Sequence, residues 1–550
     1  MSLFAIAAAS CGLFIVGYLI YGRLLARWFD LSPERMTPAC AINDGMDYVP
    51  AKPSLLLGQH FSAIAAAGPI VGPILAGVWF GWLPTLVWIV FGAIMCGAVH
   101  DFSSLIGSVR EQGHSIVELV RQHLGPRAHL LFMGFVWLSL VYVIVAFTDL
   151  TSASFVEPQY GGGVASSSTL YLLAALAMGL CLYKLRMPLW LAGLIFVPLV
   201  GLIIWFGQAI PLAVPTLAGL RPQLVWDGII LTYCSIASIL PMWLLLQPRG
   251  FLGGFFLYAA LAAGLIGLLL GGDAVRYPAF LGWTSLKGAP LFPMLFVTVA
   301  CGACSGFHGI VSSGTTSKQI TREPDCRLVG YGGMLLEGVV AVIALSTLML
   351  LSPNDPLIQQ APDRIYANGL SHFVERFGIN AQFARSFALL AFATFIYDTL
   401  DVATRLGRYI FQELTGWKGR WGAVGATLCT LALPAFCMSL TLTDASGQIV
   451  PAWKVFWTVF GTSNQLLAAL TLLTITVWLK RLGKPWWISA LPALFVMVMT
   501  VWSLLLLLRP WIAGFASGVF RANAVSFTAA VLLALAALIV AEALKAWRLS

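Results

Sequence analysis

Two aspartates, Asp398 and Asp401, stand three residues apart in the apolar stretch F-I-Y-D-T-L-D-V-A-T-R. On a helix this spacing puts both carboxylates on one face, together with Thr394 and, one turn further, Arg405. Carboxylates that are close together in a low dielectric repel each other, so one of them could hold a proton near neutral pH. The alternative is structural, with salt bridges from Asp401 to Arg405 and Arg408. Because Asp398 has no basic residue within one helical turn, we expect it to be the proton carrier.

Two further acidic residues, Asp101 and Glu337, lie in apolar stretches. A charged side chain inside a membrane costs about 2.5–3.5 kcal/mol or more, so each one needs a reason. Asp101 could take part in a proton relay with His60 or His100, or it could pair with Arg110 at the membrane surface. Glu337 lies deep in its stretch, which favours a functional or ion-paired role over a hydrogen bond to a neighbouring helix.

The apolar stretch L-G-Q-H-F-S-A-I-A-A-A-G-P-I-V-G-P carries two Gly-Pro pairs four residues apart. Proline removes helical hydrogen bonds, so we expect the helix to break at these pairs. In a membrane, freed backbone groups are tolerated only where protein or a wet cavity satisfies them. The alternative is an ordinary proline kink. The residues that we expect to bind substrate here are Gln59, His60, Gly68 and Gly72.

A second interrupted stretch begins at Phe292 and reads F-P-M-L-F-V-T-V-A-C-G-A-C-S-G-F-H-G-I-V-S-S-G-T-T. Two broken helices of opposite direction are what an inverted-repeat transporter requires, and their half-helix ends offer N–H groups to a carboxylate. The glycines could instead serve close packing between helices. The side-chain amides of Asn464 and Gln465 could instead form hydrogen bonds to neighbouring helices. The expected substrate-binding residues are Ser305, His308, Ser312, Ser313, Thr315, Asn464 and Gln465.

The composition places the chain in a membrane. Of the 550 residues, 59% are hydrophobic and 10% charged, and the mean hydropathy of +0.89 excludes a soluble domain of this length. The net charge of +9 does not indicate a nucleic-acid partner, because the basic residues are spread through short loops. The lipid bilayer is the expected surrounding, and no protein partner is indicated. Neither a disulfide framework nor a metal site is expected, since the Cys301-x-x-Cys304 pair lacks further ligands.

We predict an all-α polytopic membrane protein that forms one domain over residues 1–550. About fifteen transmembrane helices are expected, near 3–22, 58–78, 84–108, 130–149, 168–183, 188–206, 227–246, 250–270, 291–311, 329–351, 384–404, 421–442, 454–479, 486–508 and 524–546. The excess of Lys and Arg in alternate loops predicts an outer N-terminus and a cytoplasmic C-terminus. Without a P-loop motif, an ion gradient must drive transport, and no nucleophile–base pair indicates an enzyme.

Eight sequence blocks stand out along the chain. They are N-D-G-M-D-Y-V-P, G-Q-H-F-S-A-I-A-A-A-G-P-I-V-G-P, G-A-V-H-D-F, P-M-W-L-L-L-Q-P-R, F-P-M-L-F-V-T-V-A-C-G-A-C-S-G-F-H-G-I-V-S-S-G-T-T-S-K, G-Y-G-G-M-L-L-E, D-V-A-T-R-L-G-R-Y and F-G-T-S-N-Q-L-L-A. Together these blocks resemble the carbon starvation protein A family of bacterial inner-membrane transporters. The resemblance covers about residues 32–480 and leaves helices 1–22 and 486–546 as accessory. The family often has G-H-H-F where this chain has G-Q-H-F, and Q-D-F where it has H-D-F.

The resemblance implies uptake of peptides or pyruvate during carbon starvation. It also implies a fold similar to that of the amino acid–polyamine–cation superfamily, with five-plus-five inverted repeats, in which the span of Asp398 would be the eighth core helix. Because the departures lie near the expected site, the substrate stays open between peptide and pyruvate. Protons are favoured as the coupling ion, with no other cofactor. A sodium site near Ala63–Ala66 and a nutrient sensor on the same fold are the alternatives.

Overall fold

The structure is a computed structural model that describes residues 2–44, 48–215, 219–241, 243–286, 288–440, 451–516 and 524–549. The regular elements in these ranges are helices, joined by turns and a few isolated β-bridges. The prediction of an all-α protein is therefore confirmed. Large apolar side chains such as Trp190, Leu194 and Trp205 are exposed on the outside of the bundle, as expected of a surface that faces lipid.

The described residues of the first half of the chain form thirteen α-helices. They are α1 (Leu3–Val16), α2 (Gly22–Trp28), α3 (Pro38–Ile42), α4 (Pro53–Ile64), α5 (Gly68–Phe80), α6 (Trp82–Gly92), α7 (Ala98–Arg110), α8 (Ile116–Leu124), α9 (Pro126–Phe155), α10 (Gly161–Tyr183), α11 (Leu189–Gly207), α12 (Pro222–Ile239) and α13 (Leu246–Leu270). Short π-helical segments at Gly17–Tyr21 and Ala93–Gly97 make α1–α2 and α6–α7 continuous.

The second half forms ten more. They are α14 (Leu291–Thr298), α15 (Ala300–Ala303), α16 (Gly306–Val311), α17 (Gly333–Met349), α18 (Pro362–Glu375), α19 (Ala381–Thr415), α20 (Gly419–Ser439), α21 (Ala452–Arg481), α22 (Trp487–Ala516) and α23 (Ala524–Leu549). A π-helical segment, Ser312–Thr316, extends α16, and a second, Arg327–Gly332, leads into α17, while a 3₁₀ turn, Pro356–Gln359, precedes α18.

Twelve of the described helices are long and apolar enough to cross a membrane, or thirteen if the bent pair α4–α5 is one span. The other two predicted spans correspond to α12 and to the broken run α14–α16. The count of fifteen is therefore not confirmed, although each predicted span overlaps a helix within the described residues. Residue 242 of the span 227–246 and residues 441–442 of the span 421–442 lie outside the described residues.

Helix packing shows two halves arranged alike. In the first half, α13 packs on α4 and α12 on α9, and in the second, α21 packs on α16 and α20 on α19. The halves also interlock reciprocally, since α12 contacts α19 while α20 contacts α9. The five units of the first half are α4–α5, α6–α7, α9, α12 and α13, and those of the second are α14–α16, α17, α19, α20 and α21. The hairpin α10–α11 is thus an insertion into the first half.

The two broken helices run in opposite directions. The end of one faces the beginning of the other, because α5 packs against α14 and α15 while α4 packs against α16. Two short helices, α8 and α18, also correspond to each other in the two halves. Helix α8 packs on α9 and α21, and α18 packs on α19 and α13. Since an odd number of crossings separates them along the chain, α8 and α18 lie at opposite ends of the bundle.

Candidate functional site

The first helix breaks between Ile64 and Gly68, where the chain bends by 48°. The break was expected at the Gly-Pro pairs, but these pairs lie in the second half-helix. Pro69 occupies the first turn of α5, where a missing N–H breaks no helical hydrogen bond, and Pro73 lies inside α5. The interruption therefore falls on Ala65–Ala67, just before the pairs.

Gly68 and Gly72 serve close packing and do not line the cavity described below. A Cβ on Gly72 would lie 2.5 Å from the carbonyl oxygen of Thr298, and one on Gly68 would overlap the side chain of Cys301. The expectation that these glycines bind substrate is therefore not supported by their positions. Gly72 lets the two broken helices approach backbone to backbone, and Gly68 leaves room for the side chain of Cys301.

The second helix breaks at Cys304 and Ser305, whose backbones are extended between α15 and α16. Asn464 of α21 forms hydrogen bonds with groups on the α16 side of this break. Its Oδ1 accepts the N–H of Phe307 at 2.8 Å, and its Nδ2 donates to the Ser305 hydroxyl at 3.0 Å. The neighbouring Gln465 donates to the carbonyl oxygen of Phe296 at 2.7 Å. Both amides thus bond between helices, which was the structural alternative.

A cavity of about 30 Å³ lies beside α4, between α13, α19 and the π-helical segment that follows α16. Of the expected substrate-binding residues, Gln59, His60 and Thr315 line it, and Asp398 forms part of its wall. The ring of His60 is fixed by a 2.9 Å hydrogen bond between its Nδ1 and the Thr316 hydroxyl. The volume is enough for a water molecule and too small for an organic acid.

A buried cluster of charges lies behind this cavity and reaches its wall through Asp398. Arg249 of α13 contacts Oδ1 of Asp398 through Nε and Nη2, each at 2.6 Å, and Oδ2 of Asp401 through Nη1. The Tyr233 hydroxyl donates to Asp401 at 2.8 Å, and the Ser62 hydroxyl donates to Oδ2 of Asp398 at 2.6 Å. One guanidinium therefore faces two carboxylates inside the bundle.

This pairing differs from both expectations for the two aspartates. Arg405 does not pair with Asp401; it donates instead to the carbonyl oxygens of Ala237 and Leu240 at 2.8 and 2.7 Å. Asp398, which has no basic residue within one turn of its own helix, is paired with Arg249 of α13. Sequence reasoning missed Arg249 because the predicted span began after it, although the block P-M-W-L-L-L-Q-P-R ends on it.

A second buried chain of ionisable groups crosses from α7 to α17. Asp101 contacts Nδ1 of His100 at 2.8 Å and Nδ1 of His308 at 2.9 Å. Nε2 of His308 lies 3.1 Å from Oε2 of Glu337, without hydrogen-bond alignment. The expected neighbours Asp101 and His100 are therefore in contact, and His308 joins Asp101 to Glu337. His60 is hydrogen-bonded elsewhere and is not part of this chain.

The surface pairing considered for Asp101 is wrong. Arg110 donates instead to Glu323, with 2.7 Å between Nε and Oε1.

Ser313 fixes α8 by accepting the N–H of Ile116 at 2.9 Å. Ser312 and Thr394 are buried, and their hydroxyls have no hydrogen-bond partner among the described residues.

A larger cavity of about 370 Å³ adjoins the small one and shares four lining residues with it, Leu246, Thr315, Gln319 and Val402. It lies toward α8, with Gly113–Ser115 and Val117 in its wall. A third cavity of about 330 Å³ lies under α18 and shares no lining residue with the small one. The small cavity therefore opens toward the α8 end of the bundle.

Metal-ligand spacing occurs among the described residues at Glu118, His129 and Glu413, and Glu413 also lines the larger cavity. Glu118 is already held there by Arg121, whose Nη2 lies 2.6 Å from its Oε1. Part of this group is therefore engaged in a surface ion pair.

Comparison with known proteins gives consistent results. The family model described as carbon starvation protein CstA matches residues 2–362 and 354–503. The peptide transporter CstA of Helicobacter pylori strain J99 is 31% identical over 583 residues, covering 92% of this chain and 82% of that protein. The pyruvate/proton symporter BtsT of Escherichia coli K12 is 29% identical, covering 91% and 81%.

Among solved structures, MhsT in complex with L-phenylalanine aligns with a TM-score of 0.48 at 12% identity, covering 90% of this chain and 99% of that one. A mutant of the Eremococcus coleocola manganese transporter aligns with a TM-score of 0.46 at 14% identity, covering 92% and 98%. The relatives are named as transporters and not as enzymes. The match of the family model over most of the chain shows that this multi-pass membrane protein belongs to the carbon starvation protein CstA family.

Proposed function

We propose that the protein is a secondary active transporter that imports a small carboxylate-bearing nutrient, a peptide or pyruvate, across the bacterial inner membrane. The observation that carries this proposal is the polar cavity beside the first broken helix, with Asp398 in its wall and the Arg249–Asp398–Asp401 cluster behind it. Buried charge inside a membrane protein marks a substrate or ion pathway. The names of the relatives support the same substrate classes.

The arrangement of cavities supports transport by alternating access. The small cavity joins the larger one on the α8 side and is separate from the cavity under α18. If the N-terminus is outside, α8 is cytoplasmic and the structure is open to the inside. The short helices α8 and α18 occupy equivalent places in the two halves, so each would close one end of the pathway.

Proton coupling is favoured by the charges at the cavity. Asp398 and Asp401 together carry two negative charges against the single positive charge of Arg249, so the cluster has room for one proton. The chain from His100 to Glu337 offers a second buried place for a proton, on Asp101 or Glu337. Sodium at the break near Ala63–Ala66 is the alternative. Import during carbon starvation fits a gradient-driven carrier that needs no other cofactor.

Uptake into proteoliposomes tests this function. Purified protein would be reconstituted and supplied with radiolabelled pyruvate or a dipeptide, under an imposed proton gradient or an imposed sodium gradient. We expect accumulation of at least one of the two substrates that follows the proton gradient and persists without sodium. Accumulation that requires sodium would transfer the coupling to the sodium site. Absence of uptake of either substrate by folded protein would contradict the proposed function.

A further inference from the structure

We propose that Arg249 is the receptor for the substrate carboxylate, and that Asp398 occupies the substrate's place on it until a proton on Asp398 releases the guanidinium. This inference rests on the proposed function. It identifies Arg249 as the residue that binds substrate, and it identifies the replacement of Asp398 by the substrate carboxylate as the binding step. It assigns to the substrate the chemical feature that pyruvate and a peptide C-terminus share, a free carboxylate.

The guanidinium of Arg249 is suited to this task. It is completely buried, and an arginine side chain does not lose its proton in proteins, so it always needs an anionic partner. Its Nε and Nη2 edge faces a single oxygen of Asp398, and the contact from Nη2 lacks hydrogen-bond alignment. An edge of two parallel N–H groups matches a carboxylate with two oxygens better than it matches this one-oxygen contact.

The order of the groups also fits. Asp398 lines the small cavity, and so does Gly250, whereas Arg249 lies behind the aspartate and does not reach the cavity. A substrate that enters from the cavity therefore meets Asp398 first. Because the cavity has room for little more than water, substrate can bind only if a side chain moves. Rotation of Asp398 would provide the space and uncover the guanidinium in one movement.

The sum of charges explains why a proton must accompany the substrate. With both aspartates ionised, the cluster of Arg249, Asp398 and Asp401 carries a net charge of −1. A proton on an oxygen of Asp398 brings it to zero, and arrival of the substrate carboxylate returns it to −1. Binding of the two together leaves the buried charge unchanged, whereas substrate alone would bring it to −2. Asp401 keeps its bond from Tyr233 and stays in place.

Besides Arg249 and Asp401, two ionisable groups face Asp398, and neither is a fixed positive charge. They are His60 of α4, which lines the small cavity with Asp398, and Tyr171 of α10. Tyr233 and Cys234 of α12 face Asp401 instead, as does Arg405 at longer range. The hydroxyl of Ser62 is the remaining contact of Asp398. No other guanidinium or ammonium among the described residues contacts Asp398, so Arg249 alone would hold the substrate carboxylate.

The test is pyruvate binding to the purified full-length protein in nanodiscs, measured by calorimetry in buffers of different ionisation enthalpy and at several pH values. For the wild type we expect one proton taken up per pyruvate bound. Over the pH range in which binding takes up one proton, the Kd should rise about tenfold per pH unit. Asp398→Asn should bind with no proton uptake and with a Kd that does not change with pH. Arg249→Gln should lose binding, and pyruvamide should not bind.

The surface variant Arg121→Gln is the matched control and should behave as the wild type. Binding by folded Arg249→Gln within threefold of the wild-type Kd would overturn the proposal, as would one proton taken up by Asp398→Asn. If Arg249→Gln does not fold, the proton count of Asp398→Asn decides alone. Failure of the wild type to bind or transport any carboxylate would instead refute the proposed function, so the two failures are distinguishable.

Discussion

Removing Arg249 should destabilise the protein far more than removing the charge of Asp398. At an effective dielectric of about 20, opposite charges roughly 4 Å apart attract by about 4 kcal/mol, and like charges about 5.5 Å apart repel by about 3 kcal/mol. The wild-type cluster has two such attractions and one repulsion, a net stabilisation of about 5 kcal/mol. Asp398→Asn keeps one attraction and no repulsion, so it retains about 4 kcal/mol.

Arg249→Gln leaves two buried carboxylates without a counter-charge. One of them must then take up a proton, so neither the two attractions nor the repulsion remains. The loss is the whole net stabilisation of about 5 kcal/mol, which is within the usual cost of breaking a buried ion pair. The expected difference between the two variants is thus roughly 3–4 kcal/mol in the free energy of unfolding.

This difference would be measured by titrating purified variants with SDS in mixed micelles and following tryptophan fluorescence. Arg121→Gln, in an exposed pair, should show no measurable change. Equal losses in Arg249→Gln and Asp398→Asn would refute the assignment of one guanidinium to two ionised carboxylates.

Three further predictions concern other parts of the fold. Gly72→Ala should sharply lower the yield of monodisperse protein in size-exclusion chromatography, because its Cβ would lie 2.5 Å from a carbonyl oxygen of α14; Gly12→Ala, with nothing within 4 Å, should not. Asn464→Leu should abolish uptake in proteoliposomes, since it frees a backbone N–H of α16 inside the membrane; normal uptake would show that the amide is dispensable. Burial raises the pKa of Asp363 in α18 to about 6, against the attraction of its neighbour Arg364. A raised carboxyl pKa stabilises the folded state at low pH, and this contribution is lost as the pH rises from about 4 to about 6. Asp363→Asn should therefore flatten the melting temperature over that pH range relative to the wild type, and unchanged curves would contradict the burial argument.

The sequence predicted those features that depend on neighbours along the chain. The spacing of Asp398 and Asp401 correctly placed both carboxylates on one buried face of α19, because helix geometry decides that relation. Their partner could not be found in the same way. Arg249 lies 149 residues earlier, on a helix whose start was predicted after it, and only the packing of α13 on α19 brings the groups together.

The position of the first break shows a second limit of the sequence. Gly-Pro pairs correctly indicated an interrupted helix, but proline is also accepted in a first helical turn, and the structure uses Pro69 in that way. The break itself falls on Ala65–Ala67, which are good helix formers. Their departure from helix follows from contacts with distant residues, above all the close approach of Gly68 and Gly72 to the second broken helix.

The two breaks are held in different ways, and this difference indicates which half of the site moves. The second break is fixed by neutral hydrogen bonds from Asn464, which do not depend on protonation near neutral pH. Beside the first break, Ser62 of α4 donates to Asp398, an acceptor whose charge would change in each transport cycle. Protonation of Asp398 would weaken the charge-assisted bond to Ser62 and the ion pair with Arg249 together. The event that frees the guanidinium for substrate would therefore also loosen α4, so we expect α4 to move at this step, whereas the Asn464 bonds to α16 do not respond to it.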